Sequence, residues 1–275
     1  MMTDSQAREA IRADLHAHTT ASDGALSPTE LVTEAAARGI THLAITDHDT
    51  VAGFEEAKRA GQKLGVEVIC GIEITASVDK QVVHVLGLGV DPSSQRLHDF
   101  TAGIVASRRE RFVAMLDKVR KVIGLELPPD EELLPEKAES LTRPRLARIL
   151  IEAGHCQSVD DAFQRYLGKR GPAYVPHIVP EAREAIAVIH AAHGVSSLAH
   201  CGLYYEGEAI AERLFDQGLM ALEVYHPDHD FLRRERLLKM VHARGALISG
   251  GADFHAFESA KAKHFGRSFT NANDF

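Results

Sequence analysis

The chain has 275 residues, long enough for one large barrel-type domain or two smaller ones, and its 45% apolar and 25% charged residues are ordinary for a globular protein. A formal net charge of −8 argues against general coating of nucleic acid, and no apolar run approaches the roughly 18 residues that span a bilayer. Segment 1–12 is polar and does not read as a secretory signal, while Cys70, Cys156 and Cys201, an odd set at unrelated spacings, point to a reducing, cytoplasmic setting.

Residues 11–15 read as a first buried strand, running into Asp14-Leu15-His16-Ala17-His18. Alternate side chains of a strand share a face, so His16 and His18 converge while Leu15 and Ala17 turn to the packing behind. Two convergent imidazoles suit a divalent cation better than a core, because each brings a nitrogen that needs a partner. Ser22-Asp23-Gly24 is a polar turn, and Pro28 opens a helix to about residue 38, with Ser27 as N-cap and Gly39 as stop. Residues 42–46 form a second strand with Asp47-His48-Asp49 at its carboxyl end, and 54–64 a helix. A third strand, 67–70, ends in Gly71-Ile72-Glu73, and an apolar run, 82–90, contains His84. The alternation implies βαβ units and a parallel sheet.

The middle of the chain differs. Residues 94–122 read as a long helix bearing Arg108, Arg109 and Arg111; 128–135 as an acidic, proline-containing linker; 144–153 and 159–167 as short helices; 168–180 as loop. The alternation then resumes: helix 181–193, strand 195–199 followed by His200, helix 208–217, strand 219–224 followed by Tyr225 and His226, helix 231–244, and strand 246–249 followed by Asp253-Phe254-His255.

Nine nitrogen or oxygen donors thus stand at or near strand ends: His16, His18, Asp23, His48, Glu73, His84, His200, Asp253 and His255. Strand carboxyl ends of an α/β barrel share one face. A lone histidine after a strand is usually a cap or a solvated loop residue, and His42, His98, His155, His190, His193, His242 and His264 keep that reading. The nine differ because they recur at one structural position with H-x-H and D-x-H spacings. No cysteine joins them, which favours hard or borderline metals, and they are too many for one ion; two or three ions with Glu73 bridging would use them. Asp14, Asp47 and Asp49 are placed to orient the imidazoles from behind.

Asp14-Leu-His-Ala-His18, Thr46-Asp-His-Asp49, Glu73, His84, His200 and Asp253-Phe-His255 together resemble the motifs of the PHP (polymerase and histidinol phosphatase) family over nearly the whole chain. Ser22-Asp-Gly24, Val83-His-Val85-Leu-Gly87, the inserted helical segment and Glu223-Val-Tyr225 before His226 and His229 are similar to its stand-alone nucleoside 3′,5′-bisphosphate phosphatases and 5′–3′ exoribonucleases. The resemblance implies an α/β fold, a distorted seven-stranded (β/α) barrel, over 1–99 and 179–275 with a helical insertion over 100–178. It also implies a trinuclear site holding the nine donors' metals, manganese first, with zinc, iron or magnesium in some members. Two positions depart from the family pattern: Arg145 stands where a histidine is usual after Arg143, and Cys201 where proline is usual after His200.

Such a site binds a phosphate through its oxygens and holds a hydroxide for in-line attack, with His226 or His229 as donor to the leaving oxygen. Arg143, Arg145 and Arg108 offer guanidinium forks for a second phosphate, and Tyr204 or Tyr225 a face for a base. The expected reaction is hydrolysis of a phosphate monoester of a small nucleotide or of short 5′-phosphorylated RNA, with no membrane and no stable duplex as partner. Histidinol-phosphate hydrolysis and a non-catalytic metal-binding accessory role are the competing readings. Metal-dependent C–N hydrolysis is disfavoured, because Glu73 fills the bridging place where a lysine is typical.

Overall fold

A computed structural model describes residues 11–134, 141–257, 259 and 261–267. The chain divides into two compact units: the described residues of Met1–Thr101 and Pro180–Phe275 form one, and those of Ala102–Val179 the other.

The first unit is built on a seven-stranded sheet in which each strand neighbours the next in sequence: β1 (Ala13–Asp14), β2 (His42–Ile45), β3 (Glu67–Val78), β4 (Gln81–Leu88), β5 (Val195–Leu198), β6 (Ala221–Tyr225) and β7 (Leu247–Gly250). The extension of β1 meets that of β7 through a parallel bridge between Ala17 and Phe254, and Leu15 N donates to Gly250 O at 3.0 Å. The sheet is thereby a nearly closed barrel. Helices α1 (Pro28–Ala37) and α2 (Phe54–Leu64) connect the first strands, and α3 (Gln95–Lys118) begins after β4. In the insertion lie α4 (Asp130–Leu133), α5 (Arg143–Glu152) and α6 (Val159–Ala162); α7 (Ala182–Ala191), α8 (Gly207–Phe215) and α9 (Phe231–Arg244) follow in the barrel unit.

Local chemistry explains the element ends. Ser27 and Glu30 form a reciprocal capping box at the start of α1, with Pro28 in its first turn. Gly65 and Gly245 close α2 and α9 in the left-handed conformation that glycine adopts without a Cβ penalty. Leu31, Val32 and Ala35 on α1 and Ala57 and Ala60 on α2 pack with Leu43, Ile45, Phe254 and Phe265 against the sheet. The insertion has a core of its own, Phe112, Met115, Leu116 and Val119 against Leu146, Ile149 and Leu150.

The structure corrects the expected sheet in three respects. β3 does not stop at Cys70 but runs to Val78, so Glu73 lies within the strand. β4 pairs antiparallel with both β3 and β5, so the sheet is mixed rather than parallel. His84, paired across from Thr75, therefore reaches the common face from mid-strand and not from a carboxyl end. In the insertion, the expected linker contains α4, and the long helix ends in a π-helical turn over Val119–Ile123.

Candidate metal centre

The nine expected ligands come together within the barrel unit. Glu73 is the hub: its Oε2 lies 3.3 Å from His16 Nε2, 3.2 Å from His18 Nε2 and 3.2 Å from His48 Nδ1, and its Oε1 lies 3.0 Å from both His84 Nδ1 and His200 Nε2. Asp253 Oδ1 is the second hub, 3.5 Å from His16 Nε2, 3.4 Å from His18 Nε2 and 3.4 Å from His255 Nδ1. Asp23 faces His18, His48 and His255 at 3.8, 3.9 and 3.4 Å. Three overlapping groups result: His18-Asp23-His48-His255, His16-His18-Glu73-Asp253 and His48-Glu73-His84, each with its donor atoms within 4.8 Å of one another.

These residues fit divalent cations on two observations. First, His16 Nε2, His18 Nδ1 and Nε2, His48 Nδ1 and His84 Nδ1 are buried without a hydrogen-bond partner. Buried polar atoms are nearly always satisfied, so a convergent group of orphans marks a place for a ligand. Second, the charge balance calls for cations. Burial alone would raise Glu73 and Asp253, yet the surrounding imidazoles outweigh it and hold both carboxyls well below their ordinary range. Conversely, burial would lower His18, but Asp253 and Glu73 outweigh it and lift the ring to about 10. Metal ions would supply the positive charge that protonated imidazoles otherwise provide.

The local backbone is shaped for the cluster. Gly24 passes so close that a Cβ there would lie 2.4 Å from His18 O, and one at Gly251 would lie 2.5 Å from His16 N. His200 and Asp253 both hold positive φ, 30° and 50°, sparsely populated conformations that recur where function dictates geometry.

The three aspartates expected to orient imidazoles accept from backbone and hydroxyl donors beside the cluster. Asp47 accepts from Thr19 N, Thr19 Oγ1 and Ser22 Oγ at 2.7, 2.7 and 2.6 Å, which holds the turn bearing Asp23. Asp14 accepts from His16 N and Ala252 N, and Asp49 from Thr75 N and Oγ1. The imidazole of His16 is oriented by Glu223, whose Oε1 lies 2.9 Å from Nδ1 while its Oε2 accepts from His200 N at 2.6 Å. Glu223 is fully buried, and the His16 ring outweighs that burial to hold its carboxyl near 2. The sequence carried a signal for it, a charge inside the apolar strand Ala221-Leu-Glu-Val, which must find a partner.

Of the two expected proton donors, His229 has both nitrogens occupied: Nε2 accepts from Gly202 N and Nδ1 meets Val224 O, each at 3.0 Å. His226 accepts from Asp228 N at Nδ1, 3.1 Å, which leaves Nε2 as the protonated nitrogen, without a hydrogen-bond partner and 3.5 Å from Asp253 Oδ2. The Tyr204 ring makes a T-shaped contact with His200, and its hydroxyl accepts from His84 N at 2.8 Å. Arg108, Arg143 and Arg145 lie in the insertion. The Arg143 guanidinium lies over the rings of Phe163 and Tyr174, 5.3 and 5.8 Å from their centroids, and Arg145 Nη2 is 3.5 Å from Leu133 O. Burial, then the like charges of Arg143 and Arg108, push Arg111 down to about 10.

A nearly closed α/β barrel with a buried, all-nitrogen-and-oxygen donor cluster able to hold metal ions defines the class as a metal-dependent hydrolase. The PHP domain model matches residues 14–217, and the chain belongs to that family. It is 39% identical over 187 residues to a 5′–3′ exoribonuclease of Haemophilus influenzae, covering 68% of each chain. To a 3′,5′-nucleoside bisphosphate phosphatase of Chromobacterium violaceum it is 33% identical, covering 88% of this chain and 87% of the relative. Its fold superposes with a TM-score of 0.80 and 32% identity on a Bifidobacterium adolescentis protein described as a metal-dependent phosphoesterase, over 95% and 93% of the two chains.

Proposed function

We propose that this metal-dependent phosphoesterase acts on small nucleotides, removing the 3′-phosphate of nucleoside 3′,5′-bisphosphates or cleaving short 5′-phosphorylated RNA. The observation that carries the reading is the convergence of orphaned buried imidazole nitrogens on Glu73 and Asp253. The names of the relatives at 33–39% identity direct it toward nucleotides.

In this reading the nine donors hold three divalent ions, manganese first, with zinc, iron or magnesium as alternatives that an N/O ligand set also admits. Bound there, the ions neutralise the phosphoryl oxygens and make water nucleophilic at neutral pH. Glu73, common to two of the donor groups, and Asp253 would help hold the ions, and Glu223 holds His16 with Nε2 inward. His226 Nε2 would pass its proton to the leaving alkoxide and be restored by the proton that the attacking water gives up, so that water and ester become alcohol and phosphate. His229, engaged at both nitrogens, holds the Gly202 backbone beside His200. The arginines of the insertion, Arg143 with Arg108 and Arg145, take the phosphate that is not cleaved; a cluster of mutually repelling guanidiniums is stabilised by an anion. The three free, buried cysteines support a reducing, cytoplasmic setting, and no described helix is long and apolar enough to cross a membrane.

The test is phosphate release by the manganese-loaded chain from a nucleoside 3′,5′-bisphosphate, the 3′- and 5′-monophosphates, histidinol phosphate and short 5′-phosphorylated RNA. The bisphosphate or the RNA is expected to give the highest kcat/KM. Preference for histidinol phosphate would overturn the nucleotide reading, and no turnover of any ester would leave a metal-binding accessory role.

A further inference from the structure

The three carboxylates of the centre are ringed by histidines, with one exception. Among the described residues, the other groups within ion-pair reach of Asp23, Glu73 and Asp253 are imidazoles; Lys261 alone is a permanent cation, its Nζ in contact with Asp253 Oδ2. The same Nζ lies 3.6 Å from Asp228 Oδ2. Asp253 is nearly buried, with its side chain 7% exposed, whereas that of Asp228 is 42% exposed and that of Lys261 26%. Lys261 therefore stands at the rim, its stem reaching inward between a surface carboxylate and an inner one.

Asp253 is used from both sides. Oδ1 faces His16, His18 and His255, the cluster's ligands, while Oδ2 faces His226 Nε2 and Lys261. An ammonium fixed beside a carboxylate that helps hold divalent ions is unfavourable for those ions, because like charges a few ångströms apart in a poorly screened site repel. A cation in that place is favourable once an anion arrives with the metals. An ammonium has three donors; Asp253 accepts from one, Asp228 faces the group at 3.6 Å, and donor capacity remains for an incoming oxygen. His226 lies on the same Oδ2 edge, so the two groups that could donate to substrate oxygens are side by side.

We infer that Lys261 is a substrate-binding residue of the metal centre, donating to a non-bridging oxygen of the phosphoryl group and held in place by Asp253 and Asp228. The inference rests on the phosphoesterase reading above and extends it to the loop after β7, from which no sequence signal singled out this lysine. The rival role is positional: Lys261 would merely lock the Asp253 carboxylate for metal binding.

The two roles separate in a titration of the manganese-loaded chain with inorganic phosphate, read by calorimetry beside manganese affinity measured without phosphate. In Lys261→Met, phosphate affinity should fall roughly 10- to 100-fold, the loss expected for one charge-assisted hydrogen bond. Manganese affinity should stay level or tighten, because a repelling charge has gone, and Lys261→Arg should recover most of the phosphate affinity. KM for the ester should rise in Lys261→Met more than kcat falls. Unchanged phosphate affinity would overturn the inference, and so would a parallel loss of manganese affinity, which marks the positional role. Lys261→Gln serves as the neutral variant if the methionine chain is unstable. Because phosphate binding is read without turnover, failure to hydrolyse any ester would reject the proposed function while leaving the lysine's role measurable.

Discussion

The barrel unit and the helical insertion use charge in opposite ways. In the barrel, anionic and neutral ligands are packed inward until several buried nitrogens have no protein partner, a state that needs cations from outside the chain. In the insertion, cations are gathered instead: Arg143 and Arg108 lie near enough to Arg111 to disfavour its charge, the Arg111 Nε donates to Val175 O, and ring faces lie under Arg143. Each arrangement costs folding energy that a ligand of the other sign would offset. In the proposed reading the barrel holds metal and the insertion an anion, and substitutions in each should then fail differently.

The largest effect should come from the barrel. His16→Ala removes a buried imidazole that faces both Glu73 and Asp253, and turnover of every phosphoester should fall on the order of 10³-fold or more, with metal content falling too. A loss confined to one substrate would mean that His16 reads substrate rather than metal. Metal removal comes next. Saturating ions that bind only the folded chain contribute about 3 kcal/mol at 100-fold excess over Kd, which corresponds to a Tm drop of roughly 5–10 °C on chelation. The pH sign follows from His18. In the stripped protein its ring is lifted to about 10, so its contribution is fully present below about 6.5 and is lost as pH rises toward 10. Metal binding displaces those protons and strengthens over the same range. The Tm gap between loaded and stripped chains should therefore widen from pH 7 to 9 in calorimetric scans; a constant gap would show that these imidazoles are not the ligands.

The donor cluster was legible because it obeys chemistry visible in one dimension. H-x-H and D-x-H spacings after apolar runs put donors on one face whatever the fold in between, and the limits of α1 followed from Ser27 and Gly39. The β3–β4 hairpin was not legible. Its two-residue turn, Asp79-Lys80, holds φ of 47° and 66° at both positions, a turn type whose usual mark is Asn-Gly or Asp-Gly. Without glycine the strands read as separate, and the antiparallel course that delivers His84 from mid-strand stayed hidden. Lys261 was invisible for another reason: a lysine in a loop is ordinarily solvated, and only the fold brings it to Asp253.

Glu223 tests the support behind the ligands. It touches no expected donor atom of the cluster other than through the His16 ring and the His200 amide. Glu223→Gln should weaken manganese binding and lower kcat/KM together by about 10- to 100-fold, the range for loss of a group that orients a ligating histidine. Full activity with weakened metal binding, or the reverse, would separate the orienting role from the chemistry.

The smallest effect should arise in the insertion, and its pattern matters more than its size. Arg143 follows Thr142, whose side chain caps α5 by accepting from Arg145 N, so Arg143→Ala keeps the cap and a good helix former while removing the guanidinium from above Phe163 and Tyr174. Loss of one charged contact to a phosphate amounts to about tenfold in binding. KM for a nucleoside 3′,5′-bisphosphate should therefore rise about tenfold, while KM for the 3′-monophosphate and metal content remain as they were. Equal losses with both substrates would show that the arginine acts on the insertion's packing and not on a second phosphate. The contrast between the two regions would then reduce to one site and one stabilising appendage. A selective loss would leave the division intact: metal chemistry in the barrel, and the choice of ester in the insertion.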